Sequence, residues 1–388
     1  MSSTADSTPP HLQRPLAALQ TLYGPLTPHS LPTPSTWSPP PKSGGHKGRY
    51  LWTDAFGLLN LLTLHTETNR SSSSEAETKA EVKSHYLTLA ARLIDAVHDT
   101  LGCTRDGTAR LPGASDENPL GGGLRIGKID ADGPDGDGQY HHYLTLWMFA
   151  LNRMSMASGD ARYNRLAVSL AKAIHAPFFV NRGASSSPPR MVWKMDTTLS
   201  RVLVGSEGNL DPIDGFVVMR ILQAGARRFG EQEEEVLKEE IADYRRVMER
   251  KGEHFVSSDP LDLGMTLWTA HWVVEEEWAA RLVDRCYEQI YDLFETDRYL
   301  DRSVKRRLAF REFGTALGMR CMAAQESEKE RAVDWKFYGD RILEFWEPYM
   351  EGLAAPEALR PITRVMYAAA LLPGAFQRGY LGPEPSLR

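Results

Sequence analysis

The sequence predicts an all-α chain folded as an (α/α)6 toroid: six helical hairpins in a ring, with a Pro-rich N-terminal arm and a small β-hairpin in a rim loop. Three observations carry that expectation. From Arg49 onward, apolar residues recur at helical spacing in eleven segments, while strand-like stretches are confined to two short runs. Apolar, small-residue helices alternate with helices charged on one face, the pattern of an inner and an outer ring. The tetrapeptide Asp-Pro-x-Asp at 211–214 recurs at 259–262, and Glu312 follows Asp262 by 50 residues, a period that stacked hairpins produce.

Taken in order, residues 1–48 hold ten Pro among many Ser and Thr and read as an extended arm with one short helix, Arg14–Tyr23. The toroid domain then spans 49–388, with helices near 52–68, 77–101, 139–156, 160–177, 213–228, 232–251, 260–274, 276–296, 306–324, 333–349 and 358–375. These make five and a half hairpins, and the helix in the arm is the candidate for the missing half. The Ser/Glu-rich stretch 71–77 reads as a solvated linker. MVWKMD at 191–196 and RVLVG at 201–205 carry the strand signals and suggest one hairpin.

Composition excludes several classes. A net charge of −6 is mild, and the only basic run, KRR at 305–307, is isolated, so nucleic-acid binding is disfavoured. No segment approaches 18 uninterrupted apolar residues, so no membrane span is expected. The three cysteines, Cys103, Cys286 and Cys321, lack metal or redox spacing and suit a reducing, cytoplasmic setting. No GxSxG elbow, nucleotide loop or cyclase DDxxD or DxDD motif is present. No cofactor and no metal are expected.

The tract 121–154 is the richest in chemistry. A Gly- and Asp-rich loop runs into a helix that opens with Gln139, Tyr140, His141, His142 and Tyr143. The loop has too little apolar surface to build a core, yet it interrupts a helical chain. Its Asp/Gly run at 130–138 lacks the closing Glu of a calcium loop. The glycines at 121–123 suit a hinge. Consecutive helical residues point about 100° apart, so only one of His141 and His142 squarely faces a central cavity. Arg125 and Lys128 are candidates for an anionic substrate group, and Trp193 and Lys194 for the same mouth.

With its hairpin count, its size and acids at the starts of inner helices, the chain over 49–376 resembles the six-hairpin glycosidase superfamily. That group includes unsaturated glucuronyl hydrolases and, on a related barrel, N-acylglucosamine 2-epimerases. RYLWTDAFG (49–57), GGLRIGK (122–128) and DGQYHHYLTLW (137–147) look like signatures of a distinct branch, and Asp262–Gly264 is similar to an acid-bearing helix start of the glucuronyl hydrolases. The resemblance implies a carbohydrate-active enzyme, a glycoside hydrolase with paired carboxylates.

Such cleavage needs one protonated and one ionised carboxyl group. Asp54, between Trp52 and Phe56, is the first choice for the acid, paired with Asp137 or Asp262. Trp52, Arg125, Tyr140, His141, His142, Trp193, Asp214 and Glu312 are the candidates for binding a small-molecule or oligosaccharide substrate. Each acid also suits plain helix capping. A catalytically inert binding or assembly toroid, and an isomerase or cyclase of secondary metabolism on this scaffold, are the competing readings.

Overall fold

The computed structural model describes residues 8–71, 76–133, 135–182, 189–230, 235–350 and 356–387. Its helices are α1 (Pro10–Tyr23), α2 (Leu51–Ser71), α3 (Ala76–Leu101), α4 (His141–Ser158), α5 (Arg162–Phe178), α6 (Asp211–Arg228), α7 (Lys238–Val247), α8 (Pro260–Ala270), α9 (Glu277–Tyr291), α10 (Ala309–Gln325), α11 (Arg331–Met350) and α12 (Arg360–Leu371). The even-numbered helices form a closed ring, in which α2 packs on α4, α4 on α6, α6 on α8, α8 on α10, α10 on α12 and α12 back on α2. Outside it, α3, α5, α7, α9 and α11 each pair with the helix before them. The sixth outer position is taken by α1, which packs against α12 and buries Leu12, Leu16 and Leu19. The chain is an (α/α)6 toroid.

Residue patterning explains the two rings. Every residue of α2 from Leu51 to His65 is buried, because an inner helix meets neighbours on all sides. By contrast, α9 buries Ala279, Leu282, Val283, Cys286 and Ile290, one stripe at helical spacing, and leaves its charged face to solvent. Two inner helices approach closely enough that glycine is required. A Cβ at Gly264 of α8 would strike the backbone of Gly314 and Thr315, and one at Gly318 of α10 would strike the carbonyl of Gly264.

The element ends depart from the periodicity in explicable ways. The helix expected from 139 starts at His141, because Gln139–Tyr140 is extended as β1 and pairs antiparallel with β4 (Lys194–Met195). Between them in sequence lie β2 (Phe179–Val180) and β3 (Arg190–Met191), which pair with each other. β4 also pairs with β5 (Val202–Val204), giving the expected hairpin, but the run 191–196 is divided between two small sheets. The helix expected over 232–251 begins at Lys238, since Leu237 is left-handed at φ 63°; residues 231–234 lie outside the described set, as do 72–75 of the expected linker. The side chain of Asp259 accepts the N–H groups of Leu261 and Asp262 and so caps α8.

The two ends of the toroid differ. At the C-terminal ends of the inner helices, the segment after α12 closes the floor. Phe376 packs on Phe56 and Trp268, Trp268 Nε1 donates to its carbonyl at 3.1 Å, and Glu384 pairs with Arg153 at 2.6 Å. The opposite end, where the inner helices start, carries the polar loops. Among the described residues, no helix is long and apolar enough to cross a membrane.

Gly318→Ala tests the ring contact. Because the atom it meets is backbone, the substitution should cost about 1–3 kcal/mol and lower the melting temperature by several degrees. An unchanged melt would show that α8 and α10 are not held at this separation.

Candidate active site

Four of the residues singled out from the sequence are consumed by internal pairing. Asp54 is fully buried; its Oδ1 accepts from Tyr23 (3.1 Å) and Ser43 and lies 3.4 Å from Arg49 Nη1. Burial raises its pKa, with Arg49 opposing. Asp137 lies 2.6 Å from both Arg105 Nη1 and Arg125 Nη1, and its other oxygen accepts from the N–H groups of Gly127, Lys128 and Gly138. Arg125, fully buried, also donates to the carbonyls of Thr100 and Cys103. Glu312 is gripped by Arg307 through both oxygens, at 2.8 and 2.5 Å, and by Trp346 Nε1 at 2.8 Å. Each carboxylate thus ties a loop to the start of a ring element.

A different set of acids converges where α4, α6 and α8 begin. Asp211 Oδ1 lies 3.2 Å from His141 Nδ1 and 3.5 Å from His142 Nδ1. Burial works against its ionisation, but the two imidazoles prevail and hold it well below the usual carboxylate range. Its other oxygen presses on Gly208, leaving no room there for a Cβ. His141 is fully buried, with Nε2 2.6 Å from the Tyr244 hydroxyl and its ring against Phe178. His142, half-buried, is the one that faces the mouth. Burial lowers its pKa, but the contact with Asp211 and the charges of Asp211, Asp214 and Asp262 outweigh it and raise the value.

Asp214, one helical turn after Asp211, carries the most informative perturbation. It is 4% exposed, and burial pushes its pKa up to about 8, reinforced by the charges of Asp211 and Asp262. Thr269 Oγ1 donates to it at 2.7 Å, and this bond and His142 offset only part of the rise. Asp262, in the first turn of α8, is half-buried. Its Oδ2 accepts from Asn209 (2.9 Å) and Ser257 (3.1 Å), and no described residue donates to Oδ1.

An aromatic wall surrounds His142. Its ring centroid lies 4.8 Å from Tyr143, 5.9 Å from Trp52, 6.1 Å from Tyr140 and 6.5 Å from Trp193. Tyr140 and Trp193 also meet edge to face at 5.0 Å, so the β1–β4 pairing brings residues from distant sequence positions to one rim. Trp52, 2% exposed, forms the deep side, and Trp193, half-exposed, the shallow one. Aromatic faces beside acids and an imidazole suit a sugar ring, which has an apolar face and polar edges.

The structure therefore gathers Asp214, Asp262, His142, Tyr140, Trp52 and Trp193, and holds Asp54, Asp137, Arg125 and Glu312 in internal pairs. Sequence reasoning passed over Asp211, Thr269, Asn209 and Tyr244. The first had a signal, since both Asp of Asp-Pro-x-Asp sit one turn apart at a helix start. Tyr244 comes from the outer helix α7 and had none.

No protein-family profile matches the chain, and no curated protein matches it by sequence. Solved structures do match in fold. A family 76 glycoside hydrolase (mannosidase) from Bacteroides thetaiotaomicron VPI-5482 aligns over 94% of this chain and 98% of its own, with a TM-score of 0.52 and 11% identity. A family 76 glycoside hydrolase from a bovine B. thetaiotaomicron strain aligns over 93% and 77%, with a TM-score of 0.54 and 10% identity. A family 76 α-mannanase from B. thetaiotaomicron aligns over 83% and 86%, with a TM-score of 0.50 and 9% identity. The chain shares the (α/α)6 toroid fold of these structures.

Removing the Asp137 carboxylate tests its structural role. Asp137→Ala leaves Arg125 buried without a counter-charge and should cost about 3–5 kcal/mol, read from the midpoint of urea unfolding. A midpoint like that of the unaltered protein would refute the pairing.

Proposed function

We propose that this protein is a glycoside hydrolase whose general acid is Asp214 and whose base or nucleophile is Asp262. The observation that carries the reading is Asp214 itself, a buried carboxyl whose pKa of about 8 keeps it protonated at neutral pH, at the same mouth as a second carboxyl on the next inner helix. Glycosidic cleavage requires that division of labour: one carboxylic acid protonates the leaving oxygen, and the other attacks the anomeric carbon or activates water. The environment divides the roles. Asp214 is dehydrated, whereas Asp262 is half-exposed with one oxygen fixed by Asn209 and Ser257.

The remaining groups have parts in the same reading. Trp193 offers the open face for a sugar ring, backed by the buried Tyr140 and Trp52, and His142 hydrogen-bonds a hydroxyl from its place above Asp211. Asp54 and Asp137, first expected as acid and base, keep the structural roles their partners give them. The family 76 structures of the same fold are described as a mannosidase and an α-mannanase, which makes α-linked mannooligosaccharides the first substrates to try.

Reducing-end release from an oligosaccharide panel is the direct assay. Asp214→Asn should lower kcat by about 10²–10⁴-fold, with Asp262→Asn similarly damaging. The kcat/KM profile should fall as pH rises through about 8, because Asp214 must keep its proton to act as the acid. Release that survives both substitutions, or an alkaline limb that Asp214→Asn does not alter, would reject the assignment.

A further inference from the structure

A cavity of about 380 Å³ opens on the rim between the loops at 43–45 and 127–129 and the starts of α10 and α12. That volume lies within the ~300–1,000 Å³ range of small-ligand sites. The cavity adjoins the mouth at two points. Tyr143 lines it, and the same ring packs on His142 at 4.8 Å; Leu261 also lines it, and Asp262 is the next residue.

The polar chemistry of the cavity is one-sided. Thr53 is fully buried in its wall, and its hydroxyl has no partner among the described residues. The hydroxyls of Tyr50 and Tyr143, both in the wall, lie 2.8 Å apart, so one proton sits between them and the other has no described acceptor. Arg311 gives one Nη to Asp259, while its Nε is buried and unpartnered. Lys128 has no ion-pair partner among the described residues; the Asp137 carboxylate takes its backbone N–H. Among the described residues no carboxylate lines the cavity, and Leu261, Phe310 and Ile362 supply apolar walls. Buried donors left without acceptors, beside two cationic side chains, are what an anion on an otherwise apolar-faced ligand would satisfy.

We propose that this cavity is a subsite for a sugar unit bearing an anionic group, a carboxylate or a phosphate, next to the unit whose bond is cleaved. The assignment rests on the hydrolase reading for the direction from which the ligand arrives. Lys128 supplies the charge, the unpartnered Nε–H of Arg311, Thr53 and the Tyr50–Tyr143 pair supply further donors, and Phe310 and Ile362 cover the apolar face of the ring.

Calorimetric titration of the full chain with glucuronate, glucose 6-phosphate and glucose tests it. At least one acidic sugar should bind tenfold or more tightly than glucose, and whether it is glucuronate or the phosphate identifies the anion. Lys128→Gln and the near-isosteric Thr53→Val should each weaken that acidic sugar at least fivefold while leaving glucose unchanged, and Lys128→Arg should restore most of the preference. If Thr53→Val does not fold, the half-buried Lys128 decides the matter alone. Equal binding of all three sugars, no binding by any of them, or acidic-sugar binding indifferent to Lys128→Gln would overturn the subsite. Assaying hydrolysis by the unaltered chain alongside the titration separates the two proposals. An acidic preference with no hydrolysis of any substrate by the unaltered chain removes the hydrolase assignment alone, and hydrolysis that Asp214→Asn abolishes, with flat sugar binding, removes the subsite alone.

Discussion

The carboxylate of Asp137 is the constraint on which the mouth of this toroid depends. The loop between α3 and β1 has little apolar surface, so packing cannot offset the entropy of ordering it. Charge does so instead: two arginines and three backbone N–H groups close on one carboxylate. Gln139 then continues the pinning, accepting from Leu124 N–H and donating to the carbonyls of Gly122 and Thr197. Gln139 is the first residue of β1, α4 follows directly, and only with β1 paired to β4 do Tyr140, His142 and Trp193 share a rim. The same logic recurs at Asp54 with Arg49 and at Glu312 with Arg307, so buried ion pairs fasten several of the loops that define the mouth.

Crowding three more acids at the starts of α6 and α8 creates the opposite problem. They repel one another and are partly or wholly dehydrated. The structure resolves this by giving them different companions. Asp211 lies against two histidines and stays ionised, while Asp214 has a threonine hydroxyl and is left protonated near neutrality. Environments that separate the pKa values of neighbouring carboxyls are how one site holds an acid and a base together. The chain of contacts from Tyr244 through His141 to Asp211 then determines where His142 stands. At the far end, the C-terminal segment seals the floor with Phe376 and Glu384, which leaves the loop-bearing end as the accessible one.

Much of this architecture was legible from residue order. Apolar periodicity located the inner helices because they are buried nearly all round, and the repeated Asp-Pro-x-Asp marked the starts of α6 and α8. The Arg14–Tyr23 segment was legible as the missing outer helix for the same reason, a buried stripe of Leu16, Leu19 and Leu22. Which of the acids are held in ion pairs was not legible. Asp54, Asp214, Asp262 and Glu312 all occupy first turns of inner helices. What separates them is whether an arginine closes on the carboxylate, and those arginines enter from loops whose course local pattern does not reveal. Likewise, Gln139–Tyr140 reads as helix until β4, more than 50 residues later, provides its partner.

The central claim is that Asp214 and Asp262 flank a bound glycosidic bond. A crystal structure of Asp214→Asn with an oligosaccharide in the mouth tests it most directly. The account predicts the glycosidic oxygen within hydrogen-bonding reach of residue 214, a sugar ring stacked on the wall of Tyr140, Trp52 and Trp193, and the carboxyl-type groups of 214 and 262 about 5–10 Å apart across the bond. A sugar bound elsewhere on the toroid, or seated in the mouth with either residue turned away from the bond, would contradict it.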